Sequence, residues 1–304
     1  MNNLFDLCSE LKSVDFSQIQ RMQPISMSYM FYNCTSLTSF NLGERFSTES
    51  VNNMNYMFNV EYFEEVTSTN DVAMELIKKN NVDYLVIAGK QTKGRGRRGR
   101  NFYSPKNTGL YMSYAFRTSK SIEELSKITA ITASATALSI DEAAFDGEDI
   151  TKIKWVNDIY INGLKVAGIL TEASCSLEEK DVNYIVIGIG INIYNPRESF
   201  PKEIKNIAGT VFNKDIKNKN DIRNSIAAGI VNKINQYLNE DAGCLECYRN
   251  KSFLIGNYIK INSFDGDNNY AYVTGITDDY HLLVKYDDDS TGELTTGEVS
   301  VYKY

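Results

Sequence analysis

Ile153-Lys-Trp-Val-Asn-Asp-Ile-Tyr-Ile161, then Asn162-Gly163, then Leu164-Lys-Val-Ala-Gly-Ile-Leu-Thr171 is the stretch from which the rest of the chain can be read. Two largely apolar runs flank Asn-Gly, the dipeptide that suits a two-residue hairpin turn because both central positions need positive φ. A β-hairpin is expected here. Working outward, Tyr84–Gly89, Leu110–Phe116 and Val182–Ile191 read as further strands, giving a sheet of about five. Helices are expected around it. One runs from about Asp71 to Lys79 behind a Ser68 or Thr69 cap. A second ends at Ala144 and opens at Ser121, with capping-box spacing to Glu124. Two more cover roughly Asp221–Leu238 and Ala242–Phe253. From Gly256 onward, short alternating runs are separated by Asp265-Gly-Asp, Asp278-Asp and Asp287-Asp-Asp-Ser, the spacing of a small β-barrel of SH3-like size. The fold class read from this order is α/β in the α+β sense, a sheet with helices and a small C-terminal β domain. The expected domain limits are 1–59, 60–254 and 255–304.

The chain has 304 residues, with 32 basic side chains against 39 acidic and a net charge of −7. That balance argues against general nucleic-acid binding, which needs a cationic excess. The longest apolar run, Tyr184–Ile191, is far short of the ~20 residues that span a bilayer, so no membrane association is expected. The first residues show no basic region before an apolar stretch, and a cytoplasmic location is the expectation. His281 is the only histidine, which excludes a His-rich metal site and leaves Ser-His-Asp chemistry without a nucleophile turn nearby. Cys244-Leu-Glu-Cys247 has no second pair to complete a zinc tetrahedron and reads as two reduced cysteines on a helix.

Residues 1–59 differ from the rest. They hold six of the eight methionines, and Met27-Ser-Tyr-Met-Phe31 recurs 27 residues later as Met54-Asn-Tyr-Met-Phe58. With Cys34-Thr-Ser-Leu37 between them, these resemble a surface-protein type of leucine-rich repeat. About three such units are needed to form a solenoid, so a repeat-like arm is expected here.

Three clusters carry chemistry. Lys90-Gln-Thr-Lys-Gly-Arg-Gly-Arg-Arg-Gly-Arg100 puts six cations and three glycines in eleven residues of an acidic chain. Forked guanidinium donors and glycine-exposed backbone N–H groups suit phosphate or carboxylate, although a nucleic-acid tether or a solvated loop has the same composition. The loop lacks the Gly-Lys-Ser/Thr ending of a P-loop. Lys154, Asn157, Asp158 and Lys165 are brought face to face by the hairpin, beside the only tryptophan, Trp155. Such a polar cluster among apolar strands is costly without mutual pairing or a polar ligand. Gly188-Ile-Gly-Ile-Asn192 fails as a dinucleotide fingerprint, but two glycines in a strand imply close approach by a ligand or another strand.

Ser68-Thr-Asn70, Gln91 through Arg100, Lys154-Trp-x-Asn-Asp158, Lys165-x-Ala-Gly168 and Gly188-x-Gly-Ile-Asn192 together resemble, in order and spacing, the motifs of the biotin protein ligases. The resemblance covers about residues 60–304. It implies a catalytic domain related to class II aminoacyl-tRNA synthetases and an ATP-dependent ligase that forms a carbon–nitrogen bond. Such an enzyme makes biotinyl-5′-AMP and then transfers biotin to a lysine of a biotin carboxyl carrier protein. It further implies that Ser68, Thr69, Asn70, Gln91, Arg95, Gly96, Arg97, Lys165 and Gly168 bind biotin. Arg97, Arg100, Phe102, Asn157, Asp158 and Asn192 would bind ATP, and Asp158 is the Mg²⁺ candidate. Lys165 and Arg97 would be the catalytic pair. Two departures stand out: Val156 replaces the proline of KWPND, and Phe102 replaces a tryptophan thought to stack on adenine. Regulatory members carry an N-terminal winged helix, and residues 1–60 lack its basic recognition helix, so no specific DNA binding is expected. A homodimer is left open. The alternatives are a lipoate or octanoyl transfer enzyme of the same superfamily, in which the Gly/Arg loop is not usual, and a degenerate binding module.

Overall fold

The computed structural model of the chain describes residues 13–15, 39–41, 58–80, 82–118, 124–175, 182–212, 219–240, 243–262, 268–295 and 297–301. Two short strands, β1 (Ser13–Asp15) and β2 (Ser39–Asn41), pair in parallel with Ser13 opposite Ser39. The repeated Met-x-Tyr-Met motifs lie outside the described residues.

The main sheet has seven strands. In chain order they are β3 (Phe58–Phe63), β4 (Asp83–Ala88), β5 (Gly109–Arg117), β6 (Lys152–Lys154), β7 (Asp158–Ile161), β8 (Leu164–Cys175) and β9 (Val182–Asn192). Their spatial order is β3-β4-β5-β9-β8-β7-β6. β3 and β4 are parallel, and every other pair is antiparallel. The expectation of about five strands therefore falls short by two, for two reasons. Phe58-Asn-Val-Glu-Tyr-Phe63 forms an edge strand where none was read. The run Ile153–Ile161 is also not one strand: it breaks at Trp155-Val-Asn157, so that β6 folds back on β7 with Lys154 opposite Asp158. Tertiary contacts set this break. The Trp155 indole donates to the Tyr280 carbonyl at 2.8 Å, and the Tyr248 hydroxyl donates to the Val156 carbonyl at 3.1 Å. The turn at Asn162-Gly163 forms as read, with φ of 50° and 76°.

Side chains alternate across this sheet, and the alternation separates core from site. On β9, Ile185, Ile187, Ile189 and Ile191 join the main core, beneath helices α2 (Glu124–Ala144) and α3 (Lys219–Asn239). The other face of the sheet holds Tyr84, Val86, Ala115, Tyr184 and Val186 against Ala73 and Ile77 of α1 (Thr69–Lys79). Farther along that face, β9 offers Gly188 and Gly190 instead of bulk. A short helix, α4 (Cys244–Lys251), carries both cysteines as free thiols, and burial pushes the Cys247 thiol up to about 11. Inside, Lys251 is 5% exposed and bonds Asp141 at 2.6 Å and Asp149 at 2.5 Å, tying α4 to α2.

The C-terminal region is a five-stranded antiparallel sheet of β10 (Tyr258–Asn262), β11 (Asn268–Ile276), β12 (Leu282–Tyr286), β13 (Thr291–Leu294) and β14 (Glu298–Val301), in the order β13-β12-β11-β10-β14. Its inner residues Ile259, Val273, Leu282, Val284 and Val299 belong to the same continuous core as the main sheet. Arg249 of α4 clamps the junction, donating to the Ile276 carbonyl at 2.7 Å and to Asp278 at 2.8 Å. No helix among the described residues is long and apolar enough to cross a membrane.

Candidate active site

A cavity of about 640 Å³ opens on the α1 face of the main sheet. Its lining draws on the start of α1, the basic segment 91–103, strands β6–β9, the 200–208 segment, and Gly297 and Val299 of the C-terminal region. Every site residue expected from sequence lines it: Ser68, Thr69, Asn70, Gln91, Arg95, Gly96, Arg97, Arg100, Phe102, Asn157, Asp158, Lys165, Gly168 and Asn192. The lining cations are Arg95, Arg97, Arg98, Arg100, Lys154 and Lys165, and the one carboxylate among them is Asp158. In a chain of net charge −7, that concentration makes an electropositive cleft suited to an anionic ligand.

The basic segment folds as a narrow hairpin. Gln91 bridges Ser104 and Arg95 bridges Asn101 in antiparallel fashion, and Phe102 donates its N–H to the Gly94 carbonyl at 2.8 Å. The tip, Arg97–Gly99, is a single tight turn with Arg98 at φ 56° and Gly99 at φ 71°. Arg97 reaches across to Asn157, Nη1 to Oδ1 at 3.2 Å, and Asn157 in turn donates to the Ile169 carbonyl at 2.9 Å. Arg95 is held differently. Its guanidinium lies 2.7 Å from Asp71 and 3.0 Å from Glu172. Desolvation works against its charge, but Glu172 and then Asp71 outweigh that and raise its pKa.

One wall is a chain of hydroxyl and amide groups. Ser68 stands at the N-terminus of α1 but makes no side-chain capping bond; instead, the Thr69 N–H is taken by Gln91 Oε1 at 2.9 Å. Gln91 Nε2 donates to Ser104 at 3.0 Å. Ser113 of β5 lies 2.7 Å from Thr69 Oγ1 and 2.6 Å from Asn70 Oδ1, and Asn70 Nδ2 donates to Glu172 at 2.6 Å. Ser113, Ser104, Asp71 and Glu172 were not expected from sequence. Ser113 left a signal, a hydroxyl in the otherwise apolar run Leu110–Phe116. Glu172 left none, because a carboxylate near a strand end usually faces solvent.

The two strand glycines admit side chains of this chain. A Cβ at Gly188 would stand 2.2 Å from Asn70 Oδ1, and one at Gly190 would stand 2.5 Å from the Phe102 ring. The close approach inferred from sequence is therefore made by Asn70 and Phe102, neither a ligand nor a neighbouring strand. Phe102 lies over Gly190 and Gly168, edge-on to Tyr111 at 6.5 Å. Beside it, also over Gly168, Lys165 Nζ lies 2.6 Å from Asp158 Oδ1. The 207–209 segment pins the Lys165 backbone: Lys165 N–H donates to the Ile207 carbonyl, and Gly209 N–H to the Lys165 carbonyl, both at 2.8 Å. The Asn192 amide is spent on the Gly209 carbonyl at 3.1 Å. Among the described residues no cluster of three His, Cys, Asp or Glu could hold a metal by itself.

Fold and cavity define a mixed-sheet α/β domain with a C-terminal antiparallel sheet, enclosing a cationic cleft. Residues 62–192 match the family model described as Biotin/lipoate A/B protein ligase family. The bifunctional ligase/repressor BirA of Bacillus subtilis is 41% identical over 148 residues, 48% of this chain and 44% of that protein. Biotin–[acetyl-CoA-carboxylase] ligase of Paracoccus denitrificans is 35% identical over 41% of this chain and 51% of that protein. The chain thus spans about half the length of these curated relatives. Among solved structures, the biotin protein ligase of Aquifex aeolicus in complex with biotin and ATP superposes with a TM-score of 0.64. It is 26% identical, and the match covers 81% of this chain and 99% of that one.

Proposed function

We propose that this chain is a biotin protein ligase, joining biotin to ATP as biotinyl-5′-AMP and passing the biotinyl group to a lysine of a biotin carboxyl carrier protein. The observation that carries the reading is the division of one cavity into two chemistries. The Ser68–Thr69–Asn70–Gln91 wall carries hydroxyl and amide groups of the kind that can hydrogen-bond a ureido ring. The arginines and lysines of the same cavity suit a carboxylate and a triphosphate.

In the first step a biotin carboxylate oxygen attacks the α-phosphorus. The bond from that phosphorus to the bridging oxygen breaks, and pyrophosphate leaves. In the second, a neutral lysine amine of the carrier attacks the acyl carbon, and AMP leaves with the bonding pair. Neither step needs an enzyme nucleophile. What the residues supply is charge: Lys165 between the two anions, and Arg97 and Arg100 on the phosphates. We assign Arg95 a different part from the direct anion contact expected of it, since its fork is committed to Asp71 and Glu172 and anchors the hairpin. Phe102, across Gly168 and Gly190, is assigned to the adenine, and Asn192 to holding the 209 segment near it. Mg²⁺ commonly binds through substrate phosphates and one or two carboxylates, and Asp158 fits as such a carboxylate once Lys165 turns to the substrate. Bound there, the ion would screen triphosphate charge. The few cations of residues 1–60, Lys12, Arg21 and Arg45, support a ligase without sequence-specific DNA binding.

Incubation with biotin, ATP and Mg²⁺, followed by mass spectrometry, should show biotinyl-5′-AMP, and added carrier domain should gain one biotinyl group. Adenylation of octanoate or lipoate in place of biotin would overturn the substrate assignment. No adenylate of any of the three would overturn the activity.

A further inference from the structure

Glu172 lies behind the cavity wall, yet two cavity residues converge on it. Arg95 Nη2 donates to Oε2 at 3.0 Å and Oε1 at 3.2 Å, and Asn70 Nδ2 donates to Oε2 at 2.6 Å. A carboxylate only accepts, so this contact fixes which way the Asn70 amide faces. Its Oδ1 must then face Ser113, 2.6 Å away. Ser113 is fully buried and has one proton for two oxygens, Asn70 Oδ1 and Thr69 Oγ1. Asn70 Oδ1 cannot donate, so Ser113 donates to it. The 2.7 Å contact between Ser113 and Thr69 is then filled by the Thr69 proton. Gln91 Oε1, the other acceptor near Thr69, is farther at 3.2 Å and already takes the Thr69 N–H. Every proton in the row Thr69, Ser113, Asn70 thus points toward Glu172. Thr69 Oγ1 is left showing lone pairs to the cavity, ready for an N–H donor.

We propose that Glu172 is a positioning residue that sets the donor–acceptor polarity of the wall receiving the biotin ring, while anchoring Arg95 of the basic hairpin. The inference rests on the proposed function. Glu172→Gln keeps the shape but gives two donors a single acceptor oxygen, and turns an NH₂ toward Arg95 or Asn70.

The test is biotin affinity by calorimetry, with steady-state adenylate formation, for wild type, Glu172→Gln, Ser113→Ala and the double variant. Thermal unfolding confirms that each is folded. Glu172→Gln should weaken biotin about tenfold, as expected for losing a charged hydrogen-bond acceptor. The KM for biotin should rise in step, and kcat should change much less. In the Ser113→Ala background, where the row is already cut, the same substitution should cost clearly less, a non-additivity that general loosening of the fold would not produce. Unchanged biotin affinity in Glu172→Gln overturns the inference, as do losses that simply multiply in the double variant. If Glu172→Gln does not fold, Ser113→Ala alone decides: an unaltered biotin affinity refutes the row. A wild type that makes the adenylate while Glu172→Gln matches it overturns only this inference. A wild type that binds no biotin overturns the proposed function as well.

Discussion

Gly188→Ala should cripple biotin binding by moving one amide. The added Cβ would stand 2.2 Å from Asn70 Oδ1, 2.9 Å from its Cγ and 3.0 Å from its Nδ2. Carbon and oxygen ordinarily approach no closer than about 3.3 Å, so the Asn70 head must retreat by about 1 Å. It has nowhere to go without breaking its bonds to Ser113 and Glu172, both 2.6 Å long. One neutral and one charged hydrogen bond are together worth about 2–4 kcal/mol. If that is expressed in ligand binding, biotin affinity falls roughly 30- to 700-fold. Gly190→Ala is the matched comparison. Its Cβ meets the Phe102 ring at 2.5 Å, so it should weaken ATP while sparing biotin in the absence of nucleotide. Calorimetric titration of both variants with biotin, and then with ATP, reads the two effects separately. A Gly188→Ala protein that binds biotin within about threefold of wild type, less than ~0.7 kcal/mol, refutes the packing argument. A Gly190→Ala protein that loses biotin as heavily as Gly188→Ala refutes the division of the cavity.

Three further outcomes are expected. Lys165→Ala should slow adenylate formation about 10²–10³-fold in single-turnover measurements, with Lys165→Arg rescuing only part, because a planar fork cannot replace a point charge between two anions. Lys251→Ala leaves Asp141 buried and stripped of its counter-ion, and should lower unfolding free energy in urea by about 3–5 kcal/mol. The acid limb of the stability profile should involve Asp149, whose pKa is lowered first by its bond to Lys152 and next by Lys251. A depressed carboxylate stabilises the fold above its unfolded pKa of about 3.9, and that contribution is lost as pH falls through the folded value. Asp149→Asn should therefore flatten the acid limb and leave neutral-to-alkaline stability with a constant offset. Urea titrations across pH check this.

The elements most legible in the sequence were those with strong local chemistry. Asn162-Gly163 forced its turn, and the long run at 182–191 declared a strand whatever surrounded it. Trp155–Asn157 misled, because its break depends on Tyr280 and Tyr248, more than ninety residues downstream, and nothing local marks it. The site was legible as a set of polar residues, since each of those expected reaches the cavity. Its wiring was not. That Arg95 would turn away to Asp71 and Glu172, or that Asn70 and Phe102 would fill the notches at Gly188 and Gly190, depends on sheet register. Ser113, Gly188 and Leu170 lie abreast on β5, β9 and β8, a pairing that only the assembled sheet reveals.

β9 carries the main core on its isoleucines 185, 187, 189 and 191, and on its other face Tyr184 and Val186 against α1 and then Gly188, Gly190 and Asn192 at the cavity. A point substitution can trouble one face and leave the other intact, but a deletion or insertion of one codon cannot. Removing a single residue upstream of Gly188 would exchange the two faces, swinging isoleucines into the cleft and glycines under α2. Change along this strand is thus confined to replacement. Only outside the strand can the gene gain or lose length.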